Sequence, residues 1–180
     1  MSATDELRKD HKQIVRLEKV IIKCYTELYA GKNIPLSDMD KISLVIDEFL
    51  DSIHYSREED SYFPCVASYD HLKQEIRALL IEHEFSRRIA LQIKKYLKRW
   101  KEGEDVREPV ARYLKTYSIF LIDHKTKEEN FFDKAESEVL SREEEHDMYE
   151  QFKSVMTISK KMEDMIKEIE YLENQPWFQN

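Results

Sequence analysis

Four of the six histidines in this chain combine with two glutamates in an arrangement that repeats between its two halves. His11 stands alone, and 43 residues later His54 opens the string HYSREEDSY. His83 again stands alone, and 41 residues later His124 opens HKTKEENFF. Both strings read His-x-x-x-Glu-Glu-x-x-aromatic. Each half therefore offers one lone imidazole and one His-x-x-x-Glu pair.

That spacing suits a metal site on helices. Residues four apart differ by about 40° around a helix axis, so His54 and Glu58 point the same way, as do His124 and Glu128. An imidazole and a carboxylate about one turn apart can bind one metal, while the carboxylate reaches a second. Nitrogen and oxygen donors without thiolate favour iron, manganese or zinc over copper(I) or an iron–sulfur cluster. Any one of these histidines, taken alone, reads more simply as a satisfied core residue. The set does not, because Glu58 and Glu128 would be buried with them, and an uncompensated buried carboxylate costs several kcal/mol that a dication removes. Glu59 and Glu129, five residues from their histidines, are rotated about 140° away in a regular helix, so the first glutamate of each pair is the expected ligand.

The elements that must carry these residues are helices. With 2 Gly and 4 Pro in 180 residues and 37% charged residues, the chain has little room for hairpins and is read as all-α. The first helix is expected from Thr4 or Asp5 to Ala30, stopped by Gly31, with a seam of Leu7, His11, Ile14, Glu18, Ile21, Tyr25 and Leu28. The second is expected from a Ser37 cap to Phe63, with Pro64 as its exit, and the third from Asp70 to Lys101 before Gly103. The fourth starts near Asp105 or Pro109 and carries Val110, Leu114, Tyr117, Leu121, His124, Glu128, Phe131 and Ala135. A fifth opens at Ser141 with a capping box to Glu144 and runs to Leu172, carrying Phe152, Val155, Met156, Met162, Ile166 and Ile169. The expected architecture is an up-down-up-down four-helix bundle over residues 1–137, with residues 138–180 forming an additional C-terminal helix and tail packed outside it.

These residues resemble the hemerythrin family in its broader HHE cation-binding branch, over about Asp10 to Ala135. Tyr62-Phe63-Pro64 also resembles the aromatic-Phe-Pro that often follows the family's first motif. The resemblance implies a centre of two iron ions with an oxo or hydroxo bridge. Carried over by position, His11 and His54 would bind one iron, His83 and His124 the other, and Glu58 and Glu128 would bridge them. Two departures matter. The family's oxygen carriers have a fifth histidine where this chain has Arg87, and an Asp five residues after the last histidine where it has Glu129, which keeps Glu129 open as a bridge. The four-histidine, two-glutamate set resembles the branch linked to nitric oxide, peroxide or iron handling.

The remaining residues set limits. A net charge of −8 lacks the electrostatic footprint of nucleic-acid binding. The cations Lys94, Lys95, Lys98, Arg99 and Lys101 sit where a helix should end and complement its dipole. Cys24 and Cys65 form no paired motif, and no stretch has the character of a signal peptide or membrane span, so the expected location is the cytoplasm. Glu18 reads as an end-of-bundle residue reaching water or as an acceptor behind a ligand. Asp51 could orient the free nitrogen of His54. Arg87 reads as a surface partner for a carboxylate or as a contact for a bound anion. Ser86 and Ala90 are small seam residues near His83, while His71 and His146 fall outside the pattern. The expected ligand is a small diatomic molecule or peroxide, bound, sensed or consumed. A ferritin-like iron oxidase would need Glu-x-x-His on two helices, and only Glu143 to His146 gives that string. A metal-free helical interaction protein, a redox partner and pairing with a second copy of the chain stay open.

Overall fold

The computed structural model describes residues 1–180, which form helices joined by short turns with no strand. Helix α1, Ala3–Tyr29, opens on a capping box in which the Asp5 N–H bonds the Ser2 hydroxyl and the Ser2 N–H bonds the Asp5 carboxylate. It stops before Gly31, whose φ of 76° is the left-handed turn that glycine adopts without strain.

Helix α2, residues 36–67, departs from expectation at both ends and in its middle. It begins after Pro35 without a side-chain cap, so Ser37 lies inside the helix rather than capping it. Leu36–Val45 and Phe63–Ala67 are ordinary α-helix; Ile46–Tyr55 and Glu58–Tyr62 are wide turns of the i→i+5 type, a feature frequent at functional sites. Pro64 does not end it. The Phe63 N–H bonds Glu58 O across the wide turn, and Pro64 then falls in the first turn of Phe63–Ala67, where a missing N–H costs nothing.

Helix α3, Lys73–Lys101, starts after Asp70, which has a φ of 60° that aspartate tolerates in a turn. Helix α4, Arg107–Lys134, holds Pro109 in its first turn and is prolonged by a wide turn at Ala135–Val139. The fifth expected helix is two. The Ser141 capping box to Glu144 starts α5, Arg142–Ser154, and the chain is extended at Val155 before α6, Met156–Glu173, and the short α7, Pro176–Gln179. Val155 and Met156, which share the expected fifth helix with Phe152, are exposed, because the break redirects α6 across α2.

The largest interfaces join α1 to α4 and α3 to α4. Sequence-adjacent long helices run in opposite directions. Between α3 and α4, Glu82 meets His124 and Glu75 meets Lys134; between α2 and α3, Glu59 meets His83 and Asp51 meets Arg87. The core falls into two apolar clusters, one around Ile14, Ile53, Ile89 and Leu121, the other around Leu7, Tyr62, Leu79 and Phe131. On every long helix the residues separating the two are those of the His/Glu set. No helix is long and apolar enough to cross a membrane.

The C-terminal segment is fastened at one buried carboxylate. Asp38 accepts the Trp177 Nε1–H at 2.8 Å and the Tyr171 hydroxyl at 3.1 Å. Asp38→Ala leaves the indole donor buried without a partner and is expected to cost about 1–3 kcal/mol, read as a lower urea midpoint at unchanged slope.

Candidate metal centre

The four imidazoles and two carboxylates converge in one dry layer. His54, His83 and Glu58 are fully buried, and His124, Glu128 and His11 nearly so. All four imidazoles turn Nε2 toward the Glu128 carboxylate. Its Oε2 lies 3.0 Å from His11 and 3.6 Å from His54, and its Oε1 lies 3.4 Å from His83 and 2.6 Å from His124. Glu58 spans the same two pairs from the other side, with Oε2 3.3 Å from His83 and 3.8 Å from His54. The ring centroids are 5.0 Å apart within each pair, His11–His54 and His83–His124. Two groups thus have metal-ligand spacing, His11–His54–Glu128 and His83–His124–Glu128.

Several inward donor atoms have no hydrogen-bond partner. Both oxygens of Glu58, Nε2 of His54 and Nε2 of His124 are buried and make no hydrogen bond, because their approaches to His83 and Glu128 lack hydrogen-bond geometry. Buried polar atoms are otherwise almost always paired, and orphans converging on one point are what a cation site requires. The donor set of four neutral-capable imidazoles and two carboxylates fits a divalent transition metal.

The family supports that reading. The description "hemerythrin HHE cation binding domain" matches residues 2–135. The chain belongs to the hemerythrin family. No curated protein and no solved structure matched it. As a hemerythrin-like metal-binding domain, it carries its His/Glu clusters within the matched region.

Sequence reasoning missed the groups that hold these imidazoles from outside. In this hemerythrin-like layer every Nδ1–H is donated to a carboxylate: His11 to Glu129 at 2.5 Å, His54 to Asp10 at 3.3 Å, His83 to Glu59 at 2.6 Å, and His124 to Glu82 at 2.6 Å. The pattern keeps the pseudo-two-fold of the sequence. Each lone histidine is held by the second glutamate of the other half, and each paired histidine by the acid preceding the lone histidine of its own half. Glu59 and Glu129 thus occupy a definite place, behind the imidazoles. The signal was present: an acid precedes both His11 and His83, and both motifs carry a doubled glutamate.

Aromatic rings seal the layer. Tyr55 stacks on His83 at 3.8 Å, Phe120 on His124 at 5.2 Å and Phe132 on His11 at 5.4 Å. Beside it, the Tyr55 hydroxyl bonds Ser86 Oγ, which pairs with the Tyr117 hydroxyl. Ser86 and Tyr117 line a cavity of about 260 Å³ together with Ala90 and Arg87.

Electrostatics in the metal-free protein follow from crowding. Burial, then repulsion from Glu128, raises the Glu58 carboxyl above its usual range. Burial also opposes ionisation of Glu128, but the imidazoles of His124, His11 and His54 outweigh it and hold that carboxyl well below the usual range. Burial disfavours imidazolium, yet the surrounding carboxylates prevail, pushing His54 up to about 10, His83 to about 11 and His124 to about 9. A metal must therefore displace protons from these rings.

The other singled-out residues lie elsewhere. Glu18 is buried and paired with Lys125 at 2.5 Å, so it neither reaches water nor touches a candidate ligand. Asp51 binds Arg87 instead of His54; the nitrogen of His54 was already claimed by Asp10. Arg87 is held by Asp51, Glu59 and Glu84 and supplies no donor to the layer. His71 and His146 are exposed, as is Glu143. The Glu-x-x-His string therefore lies on the surface of α5.

Proposed function

We propose that this chain is a di-iron protein that binds, senses or reacts with dioxygen, nitric oxide or peroxide, with residues 1–137 as the metal-binding unit. The observation that carries it is the set of inward donor atoms left unpartnered in a layer whose outward imidazole nitrogens are all taken. His11 and His54 would hold one iron, and His83 and His124 the second. Glu58 and Glu128 would span both, since each carboxylate faces one imidazole or more from each pair. Bound there, iron would supply one-electron redox chemistry and coordination positions open to a small ligand. The protein's own part is orientation and exclusion of bulk water: the outer carboxylates direct Nε2 inward, and the stacked rings of Tyr55, Phe120 and Phe132 close the layer. The cavity over Ser86 and Tyr117 lies next to the layer, separated from it by Tyr55, whose hydroxyl bonds Ser86, and could admit a di- or triatomic molecule.

Loading tests this reading. Protein loaded anaerobically with ferrous iron is expected to retain two ions per chain by elemental analysis, and titration with nitric oxide or peroxide to change its optical spectrum. Retention of one ion, or of zinc alone after expression in iron-rich medium, contradicts it.

A second expectation concerns oxygen. Arg87 occupies the position of the carriers' additional histidine and is fully engaged by three carboxylates, so the layer has one nitrogen donor fewer. Carboxylate-rich donation favours the ferric state. Ferrous-loaded protein mixed with oxygen in a stopped-flow instrument is therefore expected to oxidise irreversibly. An oxygen-dependent spectrum lasting many minutes and reversing under vacuum would overturn this.

A further inference from the structure

Behind each outer carboxylate stands a cation, so every imidazole is the inner member of a three-part chain. Arg57 Nη1 donates to both oxygens of Asp10, at 3.0 and 2.8 Å. Arg87 Nη2 donates to Glu59 at 2.9 Å, Lys127 Nζ to Glu82 at 2.5 Å, and Arg8 Nε to Glu129 at 3.2 Å. The four chains are unequal. Three imidazole–carboxylate bonds measure 2.5–2.6 Å, whereas His54 to Asp10 measures 3.3 Å. The Asp10–Arg57 pair is also the driest, with side chains 3% and 6% exposed, while Lys127 behind Glu82 is 49% exposed.

We infer that these four carboxylate–cation pairs are positioning residues that grade the imidazoles as metal donors, and that Asp10–Arg57 makes His54 the weakest, so the ion held by His11 and His54 exchanges faster than the ion held by His83 and His124. The inference rests on the two-metal reading above. A carboxylate accepting Nδ1–H draws the proton outward, fixes the tautomer with Nε2 unprotonated, and strengthens Nε2 as a ligand. A cation on the same carboxylate withdraws part of that effect, more strongly where water does not screen it. Asp10 is far from its imidazole and faces an unscreened guanidinium. Glu82 is close to its imidazole and faces a half-solvated ammonium. The position of His83 and His124 has two short chains, and that of His11 and His54 has one.

Zinc release tests the grading without redox chemistry. Protein loaded with zinc and mixed with excess chromophoric chelator is expected to release metal in two phases of equal amplitude. Glu82→Gln keeps a hydrogen-bond acceptor but removes the charge, and is expected to speed the slow phase by about tenfold or more while leaving the fast phase in place. Lys127→Gln, at a half-exposed position that folding tolerates, frees the Glu82 charge and is expected to slow the slow phase. General loosening of the fold would speed release in both variants, so the opposite signs separate donor strength from structural damage. Asp10→Asn is expected to change the fast phase less than Glu82→Gln changes the slow one. Release in a single phase, acceleration of the fast phase by Glu82→Gln, or shifts of the same sign in Glu82→Gln and Lys127→Gln overturns the inference and leaves the two-metal reading intact. Uptake of fewer than two zinc ions per chain overturns both.

Discussion

Glu128→Ala is expected to lose metal at both positions at once. Each oxygen of Glu128 faces one imidazole pair, and it is the one carboxylate present in both groups with metal-ligand spacing. Its removal leaves two imidazoles at each position and no carboxylate between them except Glu58, whose ionisation is opposed by burial in the metal-free protein. The loss in affinity should exceed the roughly 10–100-fold that removing an outer hydrogen-bond partner costs. Glu129→Ala is the contrasting variant. That carboxylate touches His11 only through Nδ1 and otherwise meets Arg8, so the variant is expected to keep two ions when loaded with excess metal. Elemental analysis of the two purified proteins, with circular dichroism to show that both are helical, checks this. Retention of metal by Glu128→Ala and its loss from Glu129→Ala would place the bridge on the second glutamate.

Removing the metal is expected to lower the thermal midpoint sharply, and by an amount that depends on pH. Without a cation, Glu58 is buried with both oxygens unpaired. Unsatisfied buried groups of this kind, Glu58 together with His54 and His124, cost about 1–3 kcal/mol each, and at about 2–4 °C per kcal/mol for a chain of this size the midpoint should fall by on the order of 10 °C. The pH dependence has opposite signs in the two forms. In the metal-free protein the imidazoles titrate above their ordinary value of 6.5, at about 9 for His124, 10 for His54 and 11 for His83. Their stabilising effect is thus fully present below about pH 6.5 and is lost as pH rises through 9 to 11. In the loaded protein, protons compete with metal for the same Nε2 atoms, so stability is lost as pH falls. Scanning calorimetry of both forms at pH 6, 7.5 and 9 should show the gap between their midpoints widening with pH. A gap that narrows would mean that the imidazoles are neutral in the metal-free layer.

The convergence of His11, His54, Glu58, His83, His124 and Glu128 was legible because four-residue spacing and a half-chain repeat are both written in one dimension. The carboxylates behind the imidazoles were not, for a geometric reason. Residues one and five positions from a histidine on a helix point about 100° and about 140° away from it, so Asp10 cannot serve His11 and Glu129 cannot serve His124. Each serves a histidine on another helix, and only packing brings them together. The same limit explains Asp51, whose place on the helix three residues before His54 made it the nearer candidate in sequence. The wide turns of α2 left no mark on its apolar pattern, since Ile46, Phe49, Leu50 and Ile53 keep spacings an ordinary helix would also show. The break at Val155 was hidden likewise. Phe152, Val155 and Met156 follow helical periodicity, yet Phe152 packs in one cluster while Met156 faces water, and nothing in the spacing shows where contact with the bundle lapses.

Anomalous diffraction at the iron edge from crystals of iron-loaded protein tests the central claim most directly. Two peaks are expected within the His/Glu layer, one reached by His11, His54 and Glu128, the other by His83, His124 and Glu128, with Glu58 in reach of both. A single peak, or peaks confined to surface carboxylates with the layer unchanged, would contradict the assignment of a two-metal centre to these six residues.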